Sequence, residues 1–139
     1  MKGTRGKAPQ APLVLLVDDF DDAREMYLEY FKYSGFRTEE ARNGEEALKK
    51  AVELLPDAIL MDLSMPLIDG WEATRRLKAD PRTHHIPVMA LTGHALAGQA
   101  QGARDVGCDA FVTKPCLPAD LLAAVQKMLE TTHKKPKRP

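Results

Sequence analysis

Leu13-Val14-Leu15-Leu16-Val17-Asp18-Asp19 joins five uninterrupted apolar residues to a pair of carboxylates. An apolar run with no polar alternation is what a parallel strand covered on both faces requires. The run is far too short to span a bilayer, which takes roughly 20 apolar residues. Two further runs of the same kind follow, Ala58-Ile59-Leu60-Met61 ending at Asp62 and Ile86 to Leu91 ending at Thr92. A short one, Asp109 to Thr113, ends at Lys114-Pro115. Phe36 to Ala41 is half polar, as expected of an edge strand.

Helical patterns separate these runs. Between Asp18 and Ser34 the residues Ala23, Met26, Tyr27, Tyr30 and Phe31 share one helical face, and Gly35 stops the helix. Asn43 is placed to cap a second helix with Ala47, Leu48, Ala51, Leu54 and Leu55 as its apolar stripe before Pro56. A third runs from about Trp71 to Ala79. His94 to Val106 predicts a fourth helix that is loosely anchored, because Gly98 and Gly102 interrupt it and only Leu96 and Val106 are large and apolar. Pro118 opens a fifth, with Leu121, Leu122, Val125, Met128 and Leu129 on one face. Five βα units predict an α/β fold, a parallel sheet with right-handed crossovers and helices on both faces.

The chain has 139 residues, with 20 Lys+Arg against 20 Asp+Glu. All the acids lie between Asp18 and Glu130, whereas residues 1–12 carry three cations and residues 131–139 carry four, so the body is acidic by about seven charges. Residues 1–12 and 131–139 are basic, rich in Pro and poor in apolar residues, and are expected to be disordered tails around a domain at 13–130. The basic start has no apolar segment after it, and two cysteines give no disulfide framework. Both features predict a cytoplasmic protein. Cys108 and Cys116 are expected to be small fillers, and His84-His85 solvated loop residues.

Ligand sites of open α/β sheets lie beyond the carboxyl ends of the strands. Asp18, Asp19, Asp62, Thr92 and Lys114 all stand there. Strand-end aspartates often cap helices, a role that fits Asp22 and Asp69, but capping accounts for neither Thr92 nor Lys114. Three gathered carboxylates repel and call for protons or a cation, and an all-oxygen donor set suits Mg²⁺. With such an ion, Asp62 can act as nucleophile toward a phosphoryl group, while Lys114 and Thr92 stabilise its oxygens.

Leu-Val-Asp18-Asp19, Met-Asp62-Leu-Ser-Met65-Pro66-Leu-Ile-Asp69-Gly70, Ala-Leu-Thr92-Gly and Lys114-Pro115, in this order, resemble the receiver domain of two-component response regulators, of the stand-alone chemotaxis type. The resemblance implies a flavodoxin-like doubly wound sheet of order 2-1-3-4-5 with five helices. It implies phosphorylation of Asp62 by a sensor histidine kinase or a histidine phosphotransfer protein. Asp19, Asp62 and the Ser64 backbone carbonyl match the Mg²⁺ ligands, with Asp18 acting through water. Thr92 and Phe111 match the switch pair that alters the face of the fourth helix, fifth strand and fifth helix for a downstream protein. A cis Lys114-Pro115 bond is also implied. Ser64 and His94 stand where the family tunes phosphoryl lifetime.

On this reading the protein is a phospho-acceptor that assists its own phosphorylation and dephosphorylation, not an enzyme. No membrane contact is expected, and nucleic-acid contact through the tails is disfavoured because no DNA-reading module follows residue 130. The alternatives weighed are an aspartate-dependent phosphohydrolase, which needs a general acid that Ser64 cannot provide, and a receiver-like nucleic-acid-binding adaptor. With about nine residues after the domain, the output is expected to come from another protein. Whether phosphorylation drives dimerisation is left open by the sequence.

Overall fold

The computed structural model describes residues 11–63, 70–93 and 97–134. Strands β1 (Leu13–Val17), β2 (Arg37–Ala41), β3 (Ala58–Asp62), β4 (Val88–Thr92) and β5 (Ala110–Thr113) alternate with helices α1 (Asp21–Tyr33), α2 (Gly44–Leu54), α3 (Gly70–Ala79), α4 (Ala97–Asp105) and α5 (Pro118–Lys134). All strand pairs are parallel, and the order is β2-β1-β3-β4-β5, as the resemblance implies.

Period-two alternation sorts each buried strand between two cores. Leu15, Val17, Ile59, Met61, Val88 and Ala90 face α2, α3 and α4, where Ala47, Ala51, Ala73, Leu77 and Ala103 meet them. Val14, Leu16, Leu60, Met89 and Leu91 face α1 and α5 with Phe31, Leu121 and Val125. Each large side chain so buried contributes roughly 1.5–3 kcal/mol before the entropy of ordering is set against it.

Asn43 caps α2 as expected, its Oδ1 accepting the Glu46 N–H at 2.9 Å while Glu46 Oε1 accepts the Arg42 N–H at 2.7 Å. α1 ends in a Schellman motif: the Phe36 N–H donates to the Phe31 carbonyl and the Gly35 N–H to the Lys32 carbonyl, both at 3.0 Å. Gly35 sits at φ +97°, and the Phe31 and Phe36 rings meet edge to face at 5.3 Å. Lys114-Pro115 is cis.

Several expectations need correction. The inward face of α1 is Arg24, Tyr27, Leu28 and Phe31, and Met26 is exposed. The sequence pattern chose the apolar Met26 over the charged Arg24, whereas ion pairs let Arg24 go in. Leu54 and Leu55 are exposed rather than part of the α2 stripe, because Leu55 leaves the helix in the left-handed region at φ 48° ahead of Pro56. Residues 11–12 are not a free tail: Arg37 donates from its backbone to the Pro12 carbonyl and from Nε to the Ala11 carbonyl, both within 2.9 Å. α5 passes the expected end at 130 and runs to Lys134, with no helix breaker before Pro136. The expected tail residues 1–10 and 135–139 lie outside the described residues.

Gly35→Ala should cost about 1 kcal/mol, although a Cβ there would meet nothing within 4 Å, since the loss is purely conformational. Urea unfolding should show a lower midpoint at unchanged slope.

Candidate functional site: an acidic pocket at the carboxyl edge of the sheet

The register brings the chemistry-bearing residues level. Val17 lies beside Met61, Asp62 beside Leu91, and Thr92 beside Thr113, so the residues ending β1, β3, β4 and β5 share one edge. Backbone bonds carry the chain past that edge: Asp18 N–H to the Ala41 carbonyl at 3.1 Å, Leu63 N–H to the Leu91 carbonyl at 2.9 Å and Lys114 N–H to the Thr92 carbonyl at 2.7 Å.

Asp18 is fully buried, Asp62 is 5% exposed and Thr92 1%, whereas Asp19 faces solvent. One oxygen from each of Asp18, Asp19 and Asp62 lies within 4.8 Å of the others. Asp18 Oδ1 accepts the Phe20 N–H at 2.9 Å, and its Oδ2 accepts from Lys114 Nζ at 2.9 Å. Lys114 Nζ is also 3.8 Å from Asp62 Oδ2. Burial alone would lower the Lys114 pKa, but the hydrogen bond and charge of Asp18, with Asp62 behind them, reverse this and hold the ammonium above its ordinary 10.5.

The donor set fits a hard divalent cation. Among the described residues, three carboxylates face one ammonium in a mostly buried place, and every candidate ligand atom is oxygen. Ser64, expected to add its carbonyl, and Met65, Asp69 and His94 lie outside the described residues.

Gly70 ends the motif that carries Asp62. A Cβ built on it would collide with the Asp62 carbonyl oxygen and lie 2.8 Å from Leu63 Cα, so α3 starts directly against the backbone that presents Asp62. Trp71 packs against the core, and its ring lies against Gly102, where a Cβ would come within 3.1 Å. That glycine, expected only to loosen α4, admits the indole. Phe111 is half-buried against the core under α4. Asp22 is exposed in the first turn of α1. Cys108 is a buried filler whose thiol burial pushes up to about 11, and Cys116 is half-buried and free. His84 and His85 are both exposed.

Residues 14–126 match the family model described as the response regulator receiver domain. The chain belongs to the response regulator receiver family. Among its relatives, the polar-differentiation response regulator DivK of Brucella anthropi is 40% identical over 102 residues, covering 73% of this chain and 83% of that protein. The chemotaxis response regulator CheY4 of Vibrio cholerae superposes with a TM-score of 0.81 at 29% identity, over 86% of this chain and 99% of that one. The receiver domain of the sensor histidine kinase PA1611 of Pseudomonas aeruginosa, solved with a magnesium ion coordinated in its active site cleft, gives 0.80 at 29% identity, over 86% of this chain and 98% of that one. The present receiver domain is thus a module of phosphorylation-dependent signalling rather than an ordinary enzyme. Among the described residues, no helix is long and apolar enough to cross a membrane.

Two outcomes test the electrostatics. A divalent cation bound only by the folded state should raise the melting temperature. Asp19→Asn should remove most of that increment while leaving the metal-free protein as stable as before or more so, since one repelling charge is gone. In metal-free buffer, the stability that Lys114 adds over Lys114→Met should be fully present below about pH 10 and fade as pH rises through the raised Lys114 value, because a raised folded-state pKa favours the protonated native form. Urea titrations across alkaline pH read this directly.

Proposed function

We propose that Asp62 is the phospho-acceptor of a cytoplasmic phosphorelay, taking its phosphoryl group from a phosphohistidine on a sensor histidine kinase or a histidine phosphotransfer protein. The observation that carries this reading is the convergence of Asp18, Asp19 and Asp62 with Lys114 at one sheet edge. Capping needs no such convergence. An Asp62 oxygen bonds to phosphorus as the P–N bond breaks, and the electron pair of that bond goes to the imidazole nitrogen. Asp19, Asp62 and the Ser64 carbonyl would hold Mg²⁺, with Asp18 acting through water. When bound, the ion supplies positive charge against the phosphoryl oxygens.

Lys114 lies between Asp18 and Asp62, where its ammonium can meet a phosphoryl oxygen on Asp62. Thr92, level with Thr113 at the end of β4, would donate its hydroxyl to another. Attack of water on the phosphorus, within the same set of residues, breaks the bond between phosphorus and the Asp62 oxygen, releases inorganic phosphate and returns the carboxylate, so the domain would assist both its loading and its unloading.

The output is assigned to the face of α4, β5 and α5, switched by Thr92 and Phe111 and read by a downstream protein. Support comes from a groove of about 330 Å³ between β5 and α5, lined by Phe111, Val112, Ala124, Lys127 and Met128 among others. It lies beside the edge strand whose first residue after β5, Lys114, is in the pocket.

Incubation with Mg²⁺ and acetyl phosphate, followed by mass spectrometry, should show one phosphoryl adduct, absent without Mg²⁺ and absent from Asp62→Asn. An unmodified wild-type mass, or an adduct that survives Asp62→Asn, would sink the reading.

A further inference from the structure

Two polar side chains of α1, three residues apart, grip the backbone on either side of the acidic pocket. Arg24 is 4% exposed, and its guanidinium donates to three separate places: from Nη1 to the Asp18 carbonyl at 2.8 Å, from Nε to Glu40 Oε1 at 2.7 Å, and from Nη2 to Asp21 Oδ1. It thereby joins the turn carrying Asp18 and Asp19 to the end of β2 and to the first turn of α1. Tyr27, also 4% exposed, donates its hydroxyl to the Cys116 carbonyl at 2.7 Å, across 89 residues of sequence. That carbonyl belongs to the loop that follows Lys114.

Neither side chain is needed to explain the helix. The N-cap of α1, Phe20, offers no side-chain cap, and besides Arg24 the acid turn is held by the Asp18 N–H on the Ala41 carbonyl, by the Phe20 N–H on Asp18 Oδ1 and by Lys114. A buried guanidinium is tolerated only when its donors are matched, and Arg24 is matched only while Asp18, Glu40 and Asp21 all hold their places. A rigid, planar guanidinium aimed at three separate acceptors makes this a positional lock rather than a diffuse attraction. Groups that orient ligands from behind commonly change metal affinity without touching the ion.

We propose that Arg24 and Tyr27 are positioning residues with separable tasks: Arg24 sets the acid turn for divalent-cation binding, and Tyr27 sets the Lys114 loop for phosphoryl acceptance. The Tyr27 task rests on the reading of Asp62 as acceptor; the Arg24 task does not.

The test uses the full chain with Arg24→Lys, which keeps the charge and loses the fork, and Tyr27→Phe, which loses only the hydroxyl. Two quantities are read: the Mg²⁺ dissociation constant by calorimetric titration, and the initial rate of Asp62 adduct formation from acetyl phosphate at saturating Mg²⁺. Arg24→Lys should weaken Mg²⁺ about tenfold, with the saturated rate returning to within about twofold of wild type. Tyr27→Phe should leave the Mg²⁺ constant within about twofold and lower the saturated rate about fivefold, the scale of one lost hydrogen bond. If Arg24→Lys does not fold, Glu40→Gln loosens the same fork from its exposed side and should weaken Mg²⁺ about threefold.

Folded variants whose two quantities both match wild type would overturn the proposal. So would variants in which both quantities fall together in step with the melting temperature, which is the mark of a merely structural role. A wild-type chain that binds Mg²⁺ but forms no adduct refutes the acceptor reading and the Tyr27 task with it, while the titration still decides the Arg24 task.

Discussion

Mutual repulsion among Asp18, Asp19 and Asp62 is the constraint around which the carboxyl edge of this sheet is arranged. Desolvation worsens it, because Asp18 and Asp62 have left bulk water. Among the described residues the fold answers with the Lys114 ammonium, brought from 96 residues away, and with backbone N–H donors such as that of Phe20. An isolated β1–α1 turn could not tolerate such a buried acid. The site therefore depends on the whole sheet: β1 and β3 deliver the acids, and β4 and β5 deliver the hydroxyl and the cation.

The two apolar cores make that delivery accurate. A parallel strand buried on both faces cannot slip by one residue without exchanging its two sets of side chains, so the registers of β1, β3 and β4 are strongly fixed. Fixed registers put Asp18, Asp62 and Thr92 at one level without any of them needing to contribute to stability. Gly70 adds a second restraint, since α3 starts so close to the Asp62 carbonyl that no side chain fits between them.

The legibility of the sequence follows from the range of the physics involved. Continuous apolar runs and strand-end polar residues are local patterns, so the five strands, their parallel arrangement and the residues Asp18, Asp19, Asp62, Thr92 and Lys114 could be read directly. Arg24 could not. In isolation it is a cation on a helix, and the usual expectation is a solvated one. Its burial depends on Glu40, 16 residues away, and on the turn that it then holds. Tyr27 was read as one more apolar member of a stripe, because its hydroxyl partner lies 89 residues on. Leu55 misled in the opposite direction: hydrophobic and correctly spaced, it is lost to the core because the backbone departs from the helix one residue early. Errors of this kind concern where a helix ends and how it is rotated, which helical periodicity fixes only loosely.

The position of Lys114 also bears on how a charge change could leave the pocket. Its ammonium lies closer to Asp18, at 2.9 Å, than to Asp62, at 3.8 Å. On the proposed chemistry, a phosphoryl group adds nearly two negative charges at Asp62, and the balance between the two attractions tips toward Asp62. The Lys114 backbone is not free to follow, because its N–H is bonded to the Thr92 carbonyl and the Cys116 carbonyl beyond it is bonded to Tyr27. Movement of the ammonium must therefore be taken up either in the lysine side chain or at the ends of β4 and β5. The second route leads straight to Thr92 on one strand, and on the other to Val112 and Phe111, which line the groove against α5. On the proposed chemistry, a pocket that shares a cation between two acids, and ties that cation's backbone to β4, would turn whatever movement the lysine side chain does not absorb into strain at the edge of the sheet.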